Sequence, residues 1–341
     1  MEFMQNSMYG ALGVGALAAL ATAGLMVGFG PRQITLATEH TGDAQLATDL
    51  ERLAEAEPGY HTLSALVYDQ GEVTFGGLGA DEHTEFEIGS ITKTFNAELV
   101  RQLIDEDVLT LDTTVGDILG ESGAPIDTVT LEELLSHTAG LEPMGPLGFG
   151  DILWANLTEG GNAYRNDSPE DILAAAPEME LEGRGEDGYS NYGHALLGQL
   201  LSRTTDTPYE ELVRTRILEP AGMDDTYVAG PGGVDKQQLG RGLASNGRAA
   251  EPWDMDGWAP AGAIRSTAAD MAQYIEWVDE HGRPDYGWAT LDEYTFHNGG
   301  TGGFRTMLVW DPKDPHRAVY VAGDTEAWVD ELGIDLLKEE E

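Results

Sequence analysis

The chain has 341 residues, 41% of them hydrophobic, enough apolar material for one large domain or two modest ones. Its 61 acids outnumber 18 bases for a net charge of −43, which excludes nucleic-acid binding by phosphate neutralisation and repels anionic membrane surfaces. Cysteine is absent, so disulfides, thiolate nucleophiles and Cys-based zinc sites are excluded as well.

The acidic excess is spread along the chain and forms no single tail, so the composition suits a folded protein working in concentrated salt better than a disordered one. Residues 8–29 carry no charge and have about the length needed to span a bilayer. They lack a basic leader, while Ala21-Thr22-Ala23 resembles a small-residue cleavage site. Residues 1–30 therefore read as a signal anchor or signal peptide, the anchor slightly ahead. The implied location is membrane-anchored or secreted, with the folded part extracytoplasmic, although Arg32 just beyond the segment favours the opposite orientation.

Residues 31–41 read as a linker and 42–341 as the folded domain. An amphipathic helix is predicted over 43–56. Residues 63–69, a Gln70-Gly71 turn and 72–76 read as a hairpin. Next comes Gly89-Ser90-Ile91-Thr92-Lys93-Thr94-Phe95, opening a helix to about Asp105 with apolar residues at Phe95, Leu99, Val100, Leu103 and Ile104. A largely helical middle follows, clearest over 131–136, 169–176, 192–203 and 209–217, with the Gly- and Pro-rich stretch 141–150 as loop. A further helix over 271–280 precedes strands at 293–297, 304–310 and 317–322, and 328–338 closes the chain as an amphipathic helix. Strands at both ends around helices imply an α+β fold: one antiparallel sheet built from both chain ends and flanked by helices. A mostly helical subdomain, about 96–270, is inserted into it.

Three motifs carry chemistry. Ser90 and Lys93, three apart on a helix, share a face, so the amine can reach the hydroxyl. A helix N-terminus favours a developing oxyanion, and a desolvated amine can accept the serine proton. Taken alone the pair equally fits a capping serine and a solvated lysine. Tyr189-Ser190-Asn191 places a phenol and an amide two residues apart on a loop. The phenol serves as a general base if a neighbouring ammonium lowers its pKa, and the amide orients a carbonyl and the lysine. Finally, Phe296-His297-Asn298-Gly299-Gly300-Thr301-Gly302-Gly303-Phe304 puts four glycines in a strand, which weakens it unless something approaches the backbone closely; a substrate pairing alongside is one such reason.

In this order the motifs resemble those of the serine beta-lactamase and penicillin-recognising hydrolase superfamily, most closely its class C branch. Leu134-Leu135-Ser136-His137-Thr138-Ala139-Gly140-Leu141, Glu219-Pro220-Ala221-Gly222-Met223 and Pro260-Ala261-Gly262-Ala263-Ile264-Arg265-Ser266-Thr267 are similar to further stretches of that family. The resemblance covers about 43–325 and implies a beta-lactamase/transpeptidase-like fold. It assigns Ser90 as the acylated nucleophile, Lys93 as its activating partner and Tyr189 as proton shuttle. Asn191, His297, Gly299 and Gly300 become substrate-binding residues, with the N–H groups of Ser90 and Gly300 as oxyanion hole. No cofactor or metal is implied.

His297 stands where the family has a lysine that holds a substrate carboxylate. A histidine with the ordinary pKa of about 6.5 is mostly neutral above pH 7, which favours esters and neutral amides over penicillins and predicts activity that changes between pH 5 and 8. Arg265 and Arg305 are alternative carboxylate partners, ion pairs with the abundant acids being the competing assignment. His137 reads as structural. The function implied is a serine hydrolase acting through an acyl-enzyme on D-amino-acid peptides, beta-lactams or small esters. The competing reading is a non-catalytic relative that keeps the fold for binding or scaffolding. Expected partners are a small-molecule or peptide substrate and, through residues 8–29, a membrane; oligomeric state is left open.

Overall fold

The computed structural model describes residues 31–148, 150, 153, 162–234 and 240–339. The proposed leader, residues 1–30, lies outside them. Among the described residues no helix is long and apolar enough to cross a membrane.

Seven strands form one antiparallel sheet: β1 (His40–Gly42), β2 (Leu63–Asp69), β3 (Glu72–Leu78), β7 (Ala289–Leu291), β8 (Tyr294–Gly300), β9 (Arg305–Trp310) and β10 (Arg317–Gly323), in the order β1-β3-β2-β10-β9-β8-β7. The two chain ends meet where β2 pairs with β10, Leu66 opposite Tyr320. The hairpin turn is the expected Gln70-Gly71, both residues at positive φ (53° and 93°), as a two-residue turn between twisted strands requires. Sequence alone ended the linker at Thr41, but β1 begins at His40 and pairs with β3.

The helices of ten or more described residues are α1 (Ala44–Ala54), α2 (Thr92–Asp105), α3 (Asn191–Thr205), α4 (Ala268–His281) and α5 (Asp330–Glu339). Strand residues alternate between two cores, because successive side chains of a strand point to opposite faces. Leu63, Ala65, Val67, Val309, Val319 and Val321 pack under α1 and α5. Leu66, Tyr68, Leu308, Trp310 and Tyr320 lie on the face covered by α4 and share one core with residues of α2 and α3. With both faces covered, β2 and β10 read as continuous apolar runs. A second sheet, β4 (Phe86–Glu87), β6 (Ile264–Ser266) and β5 (Tyr227–Val228), was not anticipated; its strands are too short for a two-residue period to register. It ties the segment leading into Ser90 to the segment carrying Ala261.

Candidate active site

Ser90 does not cap a helix. It lies in a single 3-10 turn, Gly89–Ile91, that leads into α2, and no side chain caps either start. Its Oγ is 2.9 Å from Lys93 Nζ and 2.6 Å from the Tyr189 hydroxyl. Gly89 has φ 53°, and a Cβ there would stand 2.7 Å from the Gly300 nitrogen. Only glycine lets this turn lie against β8.

Lys93 is sealed from solvent, and burial pushes its ammonium down to about 7. Its neighbours are uncharged oxygens: Ser90 Oγ at 2.9 Å, Asn191 Oδ1 at 2.9 Å and the Ala261 carbonyl at 2.6 Å. The two carbonyls can only accept. A neutral amine has two N–H groups for them and one lone pair left, which faces the Ser90 hydroxyl. The arrangement can therefore take a proton from Ser90. The Ala261 carbonyl comes close because Gly198 of α3 offers no side chain; a Cβ there would sit 2.2 Å from the Pro260 ring.

Tyr189 and Asn191 point the same way because Ser190 between them is extended (φ −132°, ψ 117°) and alternate residues of an extended segment share a side. Asn191, expected in a loop, begins α3. Ser190 caps that helix, accepting the Gly193 N–H at 3.0 Å and donating to the Glu142 carbonyl at 2.9 Å. The Ser190 N–H donates to His137 Nδ1 at 3.2 Å, and the His137 ring lies 4.5 Å from that of Tyr189. Burial, then the nearby Lys93 charge, pushes His137 down to about 4, so it accepts as a neutral ring.

Tyr189 is 46% exposed, yet its hydroxyl end is enclosed against Ser90, which pushes the phenol up to about 12; the bond to Ser90 pulls the other way. Water at the open ring face tempers the push. The expected lowering is thus reversed: a lysine that is neutral at its working pH offers no ammonium to favour a phenolate. The Tyr189 hydroxyl is thus protonated where it meets Ser90.

On β8, Asn298 donates to Asp330 of α5 at 2.6 Å, so its neighbour His297 faces the other way, toward Lys93. His297 is 5% exposed, and burial first and the Lys93 charge second push it down to about 3. Its Nδ1 donates to the Asn298 carbonyl at 2.8 Å, leaving Nε2 as an acceptor. The expected titration between pH 5 and 8 does not belong to this residue. The glycine run also has a different cause from the one expected. A Cβ on Gly299 would stand 1.9 Å from the Ile88 carbonyl oxygen, one on Gly303 2.7 Å from the Gly242 backbone, and one on Gly300 3.3 Å from the Arg305 guanidinium. The chain's own atoms approach there.

Neither arginine is placed for a substrate carboxylate. Arg265 is 1% exposed and clasped by Glu85 and, at 2.6 Å, by Glu87. Arg305 lies on the opposite sheet face from Thr306, its guanidinium 4.6 Å from the Trp328 ring and donating to the carbonyls of Thr301 and Phe304. Sequence reading assigned no role to Ala261 or to Tyr164, whose hydroxyl meets Asn191 at 3.2 Å. A carbonyl leaves no residue-type signal, and Tyr164 belongs to no motif. A cavity of about 1170 Å³ opens behind α3 around Leu109, Leu173 and Tyr209 and contains none of these groups.

A family model described as Beta-lactamase matches residues 47–336. Penicillin-binding protein 4 of Amycolatopsis lactamdurans is 28% identical over 237 residues, 66% of this chain and 58% of that protein. The chain spans less than two thirds of the length of the curated relatives it matches first. Among solved structures, a beta-lactamase/D-alanine carboxypeptidase from Yersinia pestis superposes with a TM-score of 0.68 at 20% identity, over 86% of this chain and 98% of that one. A class C beta lactamase from Rhodobacter sphaeroides gives 0.65 at 17%, over 84% and 95%. The fold is of the beta-lactamase/transpeptidase type.

Proposed function

The chain belongs to the beta-lactamase family, and from that premise we propose a serine hydrolase that forms an acyl-enzyme on Ser90 and prefers esters and neutral amides, C-terminally amidated D-amino-acid peptides among them, to carboxylate-bearing beta-lactams. The observation that carries the reading is the buried Lys93, held by two carbonyls with its Nζ 2.9 Å from Ser90 Oγ. As Oγ attacks the substrate carbonyl carbon, Lys93 takes the Ser90 proton. The oxyanion is met by the N–H groups of Ser90 and Gly300 at the electropositive start of the helix, donors of a kind worth about 2.7–4 kcal/mol each in other hydrolases. The proton passes through the Tyr189 hydroxyl to the leaving oxygen or nitrogen as the scissile bond breaks. Water then attacks the acyl carbon, its proton returns along the same path to Ser90 Oγ, and the acid departs.

The substrate preference rests on the three described residues that the sequence nominated to hold a carboxylate: His297 is neutral, Arg265 is held by acids and Arg305 lies on the far sheet face. The test is labelling by a fluorophosphonate, expected in the wild type and abolished in Ser90→Ala, with nitrocefin, short p-nitrophenyl esters and D-alanyl peptides compared as substrates. Unlabelled wild-type protein would leave a binding or scaffolding role; nitrocefin turned over fastest would overturn the preference. The apolar residues 8–29 support delivery to or through a membrane, which fractionation of the full chain checks.

A further inference from the structure

We infer that Tyr164 and Met144 fix which way the Asn191 amide faces and thereby decide whether Lys93 can act as a base toward Ser90; this rests on the proposed acylation of Ser90. Asn191 Oδ1 accepts from Lys93 at 2.9 Å, while its Nδ2 donates to the Tyr164 hydroxyl at 3.2 Å. A primary amide turned end for end fills nearly the same space, so shape does not choose between the two orientations. Chemistry does. In the reversed orientation Nδ2–H would occupy the lone pair of the neutral amine, and an N–H of Lys93 would be left facing Ser90.

The phenol alone would not settle the matter, because a hydroxyl both gives and takes. Its oxygen lies 2.8 Å from Met144 Sδ, and a thioether has lone pairs and no hydrogen. The phenol proton therefore goes to sulfur, its oxygen accepts from Nδ2, and Oδ1 is turned to the lysine. With the Ala261 carbonyl taking the second N–H of Lys93, the direction of every bond from Met144 to Ser90 follows from that obligate acceptor.

Tyr164 is in no position to swing away. It is 7% exposed, with its ring 5.3 Å from that of Trp253 and 4.8 Å from that of Trp258. Its N–H donates to Asn162 Oδ1 at 3.1 Å, and Asn162 Nδ2 is in turn anchored on the Asp254 carbonyl at 3.0 Å. Burial keeps the phenol protonated, pushing it up to about 12.

Fluorophosphonate labelling rates of the full chain, measured from pH 5 to 9, test the inference. Tyr164→Phe removes one oxygen and no packing volume. Its plateau rate is expected to fall about tenfold, a modest part of what a positioned base contributes. Its acid midpoint is expected to move down by about half a unit, because the ammonium loses the Oδ1 that favoured it. Met144→Leu frees the phenol proton and falls between the two, and the double variant is no slower than Tyr164→Phe. A plateau that drops with an unmoved midpoint means a merely structural role and overturns the inference, as does a wild-type profile in Tyr164→Phe. Wild-type protein that takes no label overturns the acylation reading instead, and this inference with it.

Discussion

A lysine sealed from water among neutral oxygens holds its proton weakly, and Lys93 is pushed from 10.5 down to about 7 by burial. The acid limb of kcat/KM is therefore expected to have its midpoint near pH 7 and to belong to Lys93. His297, pushed down to about 3, stays neutral across that limb, so His297→Gln should leave the midpoint in place. A pH–rate profile whose midpoint follows the His297 substitution would refute the assignment. The same burial acts on stability. Between about pH 7 and 10.5 the unfolded chain keeps a proton that the folded chain has released, so folded stability climbs with pH across that window. In Lys93→Met the climb between pH 7 and 9 is expected to shrink by roughly 2–3 kcal/mol, read from urea denaturation at the two pH values, while labelling of Ser90 is lost.

At the scale of elements, the site is a junction of three backbone pieces with no room between them. The turn before α2 rests on β8, and the 259–262 turn rests on α3. Gly299→Ala would put a Cβ 1.9 Å from the Ile88 carbonyl oxygen and force β8 away from Ser90. Its labelling rate is expected to drop by about 10²-fold, since displacement of about an ångström costs that much in a positioned site. Retention of wild-type labelling would show that the contact does not hold Ser90 in place. The long periodic elements were legible: the hairpin β2–β3, strands β9 and β10, and the amphipathic α1 and α5 fall within a few residues of their sequence assignments. The β4–β6–β5 sheet was not, because pairs of two- and three-residue strands are specified by their partners and hardly by themselves.

For the whole molecule, charge matters most. A net charge of −43 on 341 residues makes the compact state repel itself, and dissolved salt screens that repulsion. The melting temperature is expected to rise steadily from low to molar sodium chloride; indifference to salt would show that the surface acids are individually compensated. Composition and the helical and strand periods were enough to determine an α+β chain whose two ends share one sheet, and the short motifs, through their resemblance to the beta-lactamase superfamily, to nominate Ser90, Lys93, Tyr189 and Asn191. Those properties are local, written in residue type and in separations of a few positions. Only the tertiary structure decided that Lys93 is buried among carbonyls, that the Tyr189 phenol is raised, that His297 does not titrate near neutrality, and that Arg265 and Arg305 are taken up elsewhere. Each of these depends on what solvent is removed and which distant group takes its place, and proton affinity responds to that environment far more than to the identity of the side chain.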